Sequence, residues 1–177
     1  IPQIAREAAE LVVFQRTPNY AVPARNRPLS EAERAAFKAD YPAMRRRQRM
    51  SPNNIDRRAP AGAFREMSPE RREAELWRRW EEGGLPFMAV FEDALLDDGA
   101  NAAIAAFVRD RIREIVTDPE TAELLCPDNV IGCKRLCVEI DYFETFNREN
   151  VRLVDVKARP IRRITHEGVE IAGETFA

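Results

Sequence analysis

The sequence predicts an α+β chain, mostly helical, in which a helical block interrupts an incomplete α/β framework. Three observations predict it. A short amphipathic segment, residues 2–10, runs straight into the apolar stretch Leu11-Val12-Val13-Phe14-Gln15, the helix-to-strand half of a βαβ unit. Between residues 30 and 125 apolar side chains recur at helical spacing. After Pro127 the alternating pattern of strands returns and continues to the end of the chain.

Each element has a local signal. The first strand stops at Arg16-Thr17-Pro18, because Pro18 cannot donate to a sheet ladder. Pro23 and Pro28 are expected to keep the chain irregular as far as Leu29. Ser30-Glu31-Ala32-Glu33 is a capping box, and Phe37, Tyr41 and Met44 continue the helix that it starts, with Pro42 expected to kink or interrupt it. Residues 51–67, with Pro52, Pro60 and Gly62, show no period and read as a loop. Ser68-Pro69 places a capping hydroxyl before a proline at the first helical position, and that helix carries Leu76, Trp77 and Trp80 to a stop at Gly83-Gly84. The two tryptophans, three residues apart, read as core packing.

Phe87, Val90, Phe91, Ala94 and Leu95 predict a further helix. Ile104, Phe107, Val108, Ile112 and Ile115 form the clearest helical stripe, and Asp118-Pro119 starts a short helix through Leu125. Val151 to Val156 alternates as a strand, Ile161 to Ile164 reads as another, and Gly168 turns the chain into Val169-Glu170-Ile171 as a hairpin. The organisation expected is thus residues 1–29 and 126–177 as parts of one α/β unit, with residues 30–125 as a helical insertion.

Composition narrows the function. Charged residues make up 33% of the chain, yet the net charge is only −2, so no global field attracts nucleic acid or an anionic membrane. Arginine dominates the basic residues; Lys38, Lys134 and Lys157 are the only lysines. The run Arg45-Arg46-Arg47, with Arg49, Arg57 and Arg58, reads as a solvated helix face rather than a phosphate-backbone grip. Cys126, Cys133 and Cys137, with the single His166, have neither disulfide-framework nor zinc-site spacing, and a sparse odd count suits a reducing, cytoplasmic compartment. No apolar run approaches the ~18 residues that a membrane helix needs.

Glycines at 62, 83, 84, 99, 132, 168 and 173 form neither G-x-G-x-x-G nor a P-loop, so the chain has no nucleotide-cradling turn of its own. It also opens on Ile1-Pro2-Gln3, without an initiator Met and inside a helical pattern. The expectation is an internal piece of a longer protein, inactive alone, with surfaces that dock missing partners or pair two copies into a dimer.

Two stretches carry a resemblance. One is Val12-Val13-Phe14-Gln15-Arg16-Thr17-Pro18-Asn19-Tyr20-Ala21-Val22-Pro23. The other is Gly132-Cys133-Lys134-Arg135-Leu136, followed by Asp141-Tyr142-Phe143-Glu144-Thr145-Phe146-Asn147-Arg148-Glu149-Asn150-Val151. With Trp80-Glu81-Glu82-Gly83-Gly84, these resemble the bacterial type I Baeyer–Villiger monooxygenases, such as the cyclohexanone and phenylacetone enzymes. The resemblance implies an FAD- and NADPH-dependent parent that inserts one atom of O₂ beside a ketone carbonyl to give an ester or lactone. It also implies that this chain is part of a Rossmann-type NADP-binding domain with its helical insertion.

Roles follow residue by residue. The resemblance puts Arg16 and Thr17 at the adenosine 2′-phosphate of NADPH, where a guanidinium fork and a hydroxyl suit a phosphate, and adds Lys134 as a further charge. It puts Arg135 over the flavin as the catalytic residue, stabilising the anionic oxygen species formed there. No residue is assigned to a metal. The alternative from another class is a stand-alone helical interaction domain without catalysis. Related flavin monooxygenases acting on amines or sulfides usually lack so long a helical insertion.

Overall fold

A computed structural model describes residues 1–51, 54 and 59–177. Pro52, Arg57 and Arg58, named above, lie outside the described residues. Helix α1 (Pro2–Glu7) is shorter than the predicted 2–10 and leads into strand β1 (Leu11–Gln15). β1 pairs in parallel with β4 (Val151–Asp155), in register from Leu11 opposite Val151 to Gln15 opposite Asp155. Asn150 joins the two: its side-chain amide donates to the carbonyls of Ala5 and Ala8, both at 2.9 Å, and its own carbonyl accepts from Leu11 N–H at 2.8 Å. The loose end of α1 is thereby tied to the strand beside it.

A second parallel pair departs from the expectation. Ala21–Pro23 is a strand, β2, and it pairs with β3 (Cys137–Glu139). Proline is tolerated because Pro23 is the last residue of the ladder, where no donor is required of it. Its carbonyl still accepts from Gly84 N–H at 2.8 Å, which seats the end of a helix on the strand. β5 (Ile161–Thr165), β6 (Gly168–Ile171) and β7 (Glu174–Phe176) form an antiparallel meander, with the hairpin at Gly168 as predicted. A side chain at Gly168 would lie 1.9 Å from the Phe176 carbonyl oxygen, so only glycine fits there.

Between β2 and β3 the described residues are mainly helical. α2 (Glu31–Met50) starts at the capping box: Ser30 Oγ accepts from Glu33 N–H at 3.2 Å, and the Glu33 carboxylate accepts from Ser30 N–H at 2.8 Å. Pro42 lies inside α2, so of the kink or break expected there the break does not occur. α2 buries none of its residues, so no packing demand forces a break where the proline removes one hydrogen bond. α3 (Pro69–Glu82) begins at Ser68 and ends at Gly83, α4 (Asp98–Ile115) begins at Asp97, and α5 (Pro119–Leu125) begins at Asp118, each cap accepting a backbone N–H of the first turn.

The helix predicted around Phe87–Leu95 is instead a 3₁₀ turn, Leu85–Ala89, followed by further turns. Tertiary bonds take the backbone groups a helix would use. Ala61 N–H donates to the Val90 carbonyl, Glu92 N–H to that of Gly62, and Phe64 N–H to the Asp93 carboxylate.

The main core is one apolar cluster. α4 contributes Ala100, Ile104, Ala105, Val108 and Ile112, at spacings that keep one face inward. Against it lie Leu76 and Trp80 of α3, Phe87 and Phe91 of the turns, and Tyr20, Val22, Phe143 and Phe146 from the strand region. Trp80 is core as expected, whereas Trp77 is part-exposed, stacked edge-on to Phe107 with the Arg111 guanidinium over its ring. Val154, Ile171 and Phe176 form a separate small cluster between β4 and the meander.

Candidate cofactor-binding site

β1 ends at Gln15, and the next residues, Arg16 and Thr17, stand exposed at its C-terminal edge. Such an edge of a parallel sheet is where α/β folds leave room for ligands. Gln15 braces the corner by donating its side-chain amide to the Leu124 carbonyl at 2.7 Å. The chain then turns through Pro18 and Asn19 into β2. Because β2 pairs with β3, the segment just before β3 arrives at the same place, and that segment carries Lys134 and Arg135.

A cleft of about 820 Å³ opens here. Arg16, Thr17 and Asn19 line it from the β1 side, and Lys134, Cys137 and Glu139 from the β3 side. The fold thus brings together the three residues expected to meet a phosphate, from positions far apart in sequence. Neither Lys134 nor Arg16 is held by an ion pair among the described residues, so both cations are available to an anion. A guanidinium, an ammonium and a hydroxyl on one open cleft form a donor set that fits a phosphate group. Arg135 is exposed but does not line this cleft, so it is set apart from the other three.

Glu139 is the acidic member of the cleft. Burial raises its carboxyl above the usual glutamate range, against the opposing effect of the Tyr142 N–H that it accepts at 2.9 Å. A second cleft of about 560 Å³ shares Arg16 and Thr17 and is bounded by Arg109, Arg113 and Lys157. Of its basic residues Arg113 is committed, paired to Glu123 at 2.6 Å and to Asp110 at 3.1 Å.

Sequence reasoning missed the residues that hold the site's shape. Asn19 and Tyr20 lie inside the quoted motif, yet nothing in their spacing assigns them a task. Tyr20 is buried, and its hydroxyl accepts from the Arg109 guanidinium at 2.9 Å and lies 2.9 Å from the Asn129 carbonyl, to which it donates. Arg109 sits on α4 among charged neighbours and shows no separate signal. Cys126 is half-buried while Cys133 and Cys137 are exposed, and among the described residues there is no group of three or more metal-ligating side chains. Nor is any helix among them long and apolar enough to cross a membrane.

No family model matches the chain. Individual proteins do. The chain is 36% identical to 2-oxo-Delta(3)-4,5,5-trimethylcyclopentenylacetyl-CoA monooxygenase of Pseudomonas putida and 37% identical to cyclohexanone 1,2-monooxygenase of an Acinetobacter species. In both cases the match takes in 99% of this chain and 33% of the relative. Among solved structures, an oxidised steroid monooxygenase bound to NADP superposes with a TM-score of 0.94 at 42% identity, over 99% of this chain and 34% of that one.

In both sequence and fold the chain is therefore similar to monooxygenases. More closely, it is homologous along nearly its whole length to a stretch of the Baeyer–Villiger monooxygenases. The chain spans about a third of the length of the relatives it matches.

Proposed function

We propose that this chain is part of an FAD- and NADPH-dependent Baeyer–Villiger monooxygenase that oxidises a ketone to an ester or lactone, O₂ supplying the inserted oxygen and NADPH the electrons. The observation that carries the reading is the meeting of Arg16, Thr17 and Lys134 on one cleft at the C-terminal edge of β1. In this reading residues 1–29 and 126–177 belong to a Rossmann-type NADP-binding domain, and residues 30–125 are its helical insertion. The three cleft residues hold the adenosine 2′-phosphate: Arg16 by a two-pronged contact, Thr17 by its hydroxyl and Lys134 as a point charge. FAD, when bound, supplies the activation of O₂. Arg135, outside that cleft, keeps a fixed positive charge for the anion that develops beside the flavin.

Two substitutions in the full-length flavoprotein separate these roles. Arg16→Ala raises the NADPH KM by roughly tenfold or more with little loss at saturating cofactor, and narrows the preference for NADPH over NADH. Arg135→Ala leaves anaerobic flavin reduction by NADPH intact and abolishes ester formation. An unchanged cofactor preference in the first variant, or normal ester yield in the second, removes the corresponding assignment.

A further inference from the structure

The segment Cys133–Leu136 has to present Lys134 and Arg135 in fixed directions, yet neither side chain is held by a hydrogen bond or ion pair among the described residues. Their placement therefore rests on the backbone that carries them. That backbone is anchored at both ends: Cys133 N–H donates to the Val130 carbonyl at 3.3 Å, Leu136 is buried, and Cys137 N–H donates to the Tyr20 carbonyl at 3.1 Å.

Between the anchors one outside side chain reaches in. Asn19 donates its Nδ2 group to the Arg135 carbonyl at 3.0 Å and to Cys137 Sγ at 3.3 Å, so both amide hydrogens go to this segment. The Cys137 thiol itself lies 3.9 Å from the same carbonyl, which closes a three-membered arrangement. Asn19 belongs to the short turn that also carries Arg16 and Thr17, and it lines the same cleft.

We propose that Asn19 is a positioning residue. By gripping the Arg135 carbonyl it fixes the direction of the Arg135 guanidinium and ties that direction to the turn that holds the cofactor phosphate. The proposal rests on the role given to Arg135 above. Without the carboxamide the segment keeps its two end anchors but loses its middle one, and the guanidinium spreads over several directions. Misplacement of a charge on the scale of an ångström weakens its effect on a developing anion far more than it weakens folding.

The experiment uses the full-length flavoprotein and compares wild type with Asn19→Ala, Asn19→Asp and Arg135→Ala. In each, the ester formed and the hydrogen peroxide released are measured per NADPH consumed, beside flavin content, melting temperature and the anaerobic rate of flavin reduction. In Asn19→Ala the ester yield per NADPH falls by roughly fivefold or more and peroxide rises in its place, while flavin reduction at saturating NADPH stays within about twofold. Asn19→Asp, which turns an oxygen toward the carbonyl, behaves as badly or worse. A purely structural role would instead lower flavin content and melting temperature together with the rate of reduction.

Wild-type yield in both Asn19 variants, with ester formation lost in Arg135→Ala, overturns the positioning role and leaves the reading of Arg135 standing. Normal ester yield in Arg135→Ala overturns that reading and this inference with it. Should Asn19→Ala fail to fold, Asn19→Ser, polar but too short to span the gap, decides the same ratio.

Discussion

Tyr20, which is buried, and Glu139, which is half-buried, show how much a single side chain does around the cleft. The Tyr20 hydroxyl links the start of β2 to α4 through Arg109 and to the loop after α5 through the Asn129 carbonyl. Burial raises its pKa, opposed by the Arg109 charge. Tyr20→Phe keeps the ring but leaves a guanidinium and a carbonyl short of a partner, at a cost of roughly 1–3 kcal/mol. Urea unfolding checks this: the midpoint drops at unchanged slope, and an unmoved midpoint would mean that water replaces the hydroxyl. Glu139 works in the opposite sense. Its folded-state pKa is raised above the ordinary 4.5, so its favourable contribution is present below that value and is lost as pH rises through the folded pKa. Glu139→Gln retains an acceptor for Tyr142 N–H. It therefore melts higher than wild type near neutral pH, and the gap closes as the pH falls to about 4.

Among the elements, α2 is the least committed to the fold. Its capping box is reinforced by the Arg27 guanidinium on Glu33, which, with the Ser30 groups, holds that carboxyl down to about 2. A lowered pKa gives support that is full above the ordinary 4.5 and lost as pH falls through about 2. The α2 cap therefore survives moderate acid. In the middle of the helix Pro42 costs a hydrogen bond that alanine would restore, an effect of up to ~3 kcal/mol on the helix itself. Pro42→Ala accordingly slows hydrogen exchange at the amides of α2. Because α2 buries none of its residues, the global melting temperature moves by less than about 2 °C. A large rise in melting temperature would show that α2 is coupled to the core after all.

On the scale of the whole molecule, the buried apolar residues fall into two clusters, and the expectation is that each is a separate unit of stability. The larger ties α3 and α4 to the strand region of the cleft; the smaller ties the meander to β1 and β4. Phe176 is central to the smaller: its ring meets Phe14 edge-on at 5.3 Å, and the Arg152 guanidinium lies 5.0 Å from its centre. Phe176→Ala costs roughly 3–5 kcal/mol locally. Native-state hydrogen exchange should show β5–β7 losing protection while α4 keeps its own. Equal loss in both would show that the chain unfolds as one unit.

Much of this architecture is written locally. Ser30, Ser68 and Asp118 announce helix starts because a cap needs only residues within one turn of it, and the stripe of α4 and the hairpin at Gly168 are equally short-range. The phosphate-binding role proposed for Arg16, Thr17 and Lys134 came from matching two motifs to a family, since none of these residue types is diagnostic alone. Tertiary structure decided the rest. Pairing of Ala21–Pro23 with Cys137–Glu139 leaves no local mark, because parallel strands are joined by long connections, and here the entire helical block is the connection. The same pairing brings Lys134 to Arg16 and lets Asn19 reach the Arg135 carbonyl. Likewise the turns at 85–96 replaced a helix because residues 61–64 claimed their backbone and side-chain bonds. Sequence by itself determined which residues could start, stop and bury each element; only the packed chain decided which distant ones meet, since contacts made across many residues are set by the sum of the packing and not by any one neighbour.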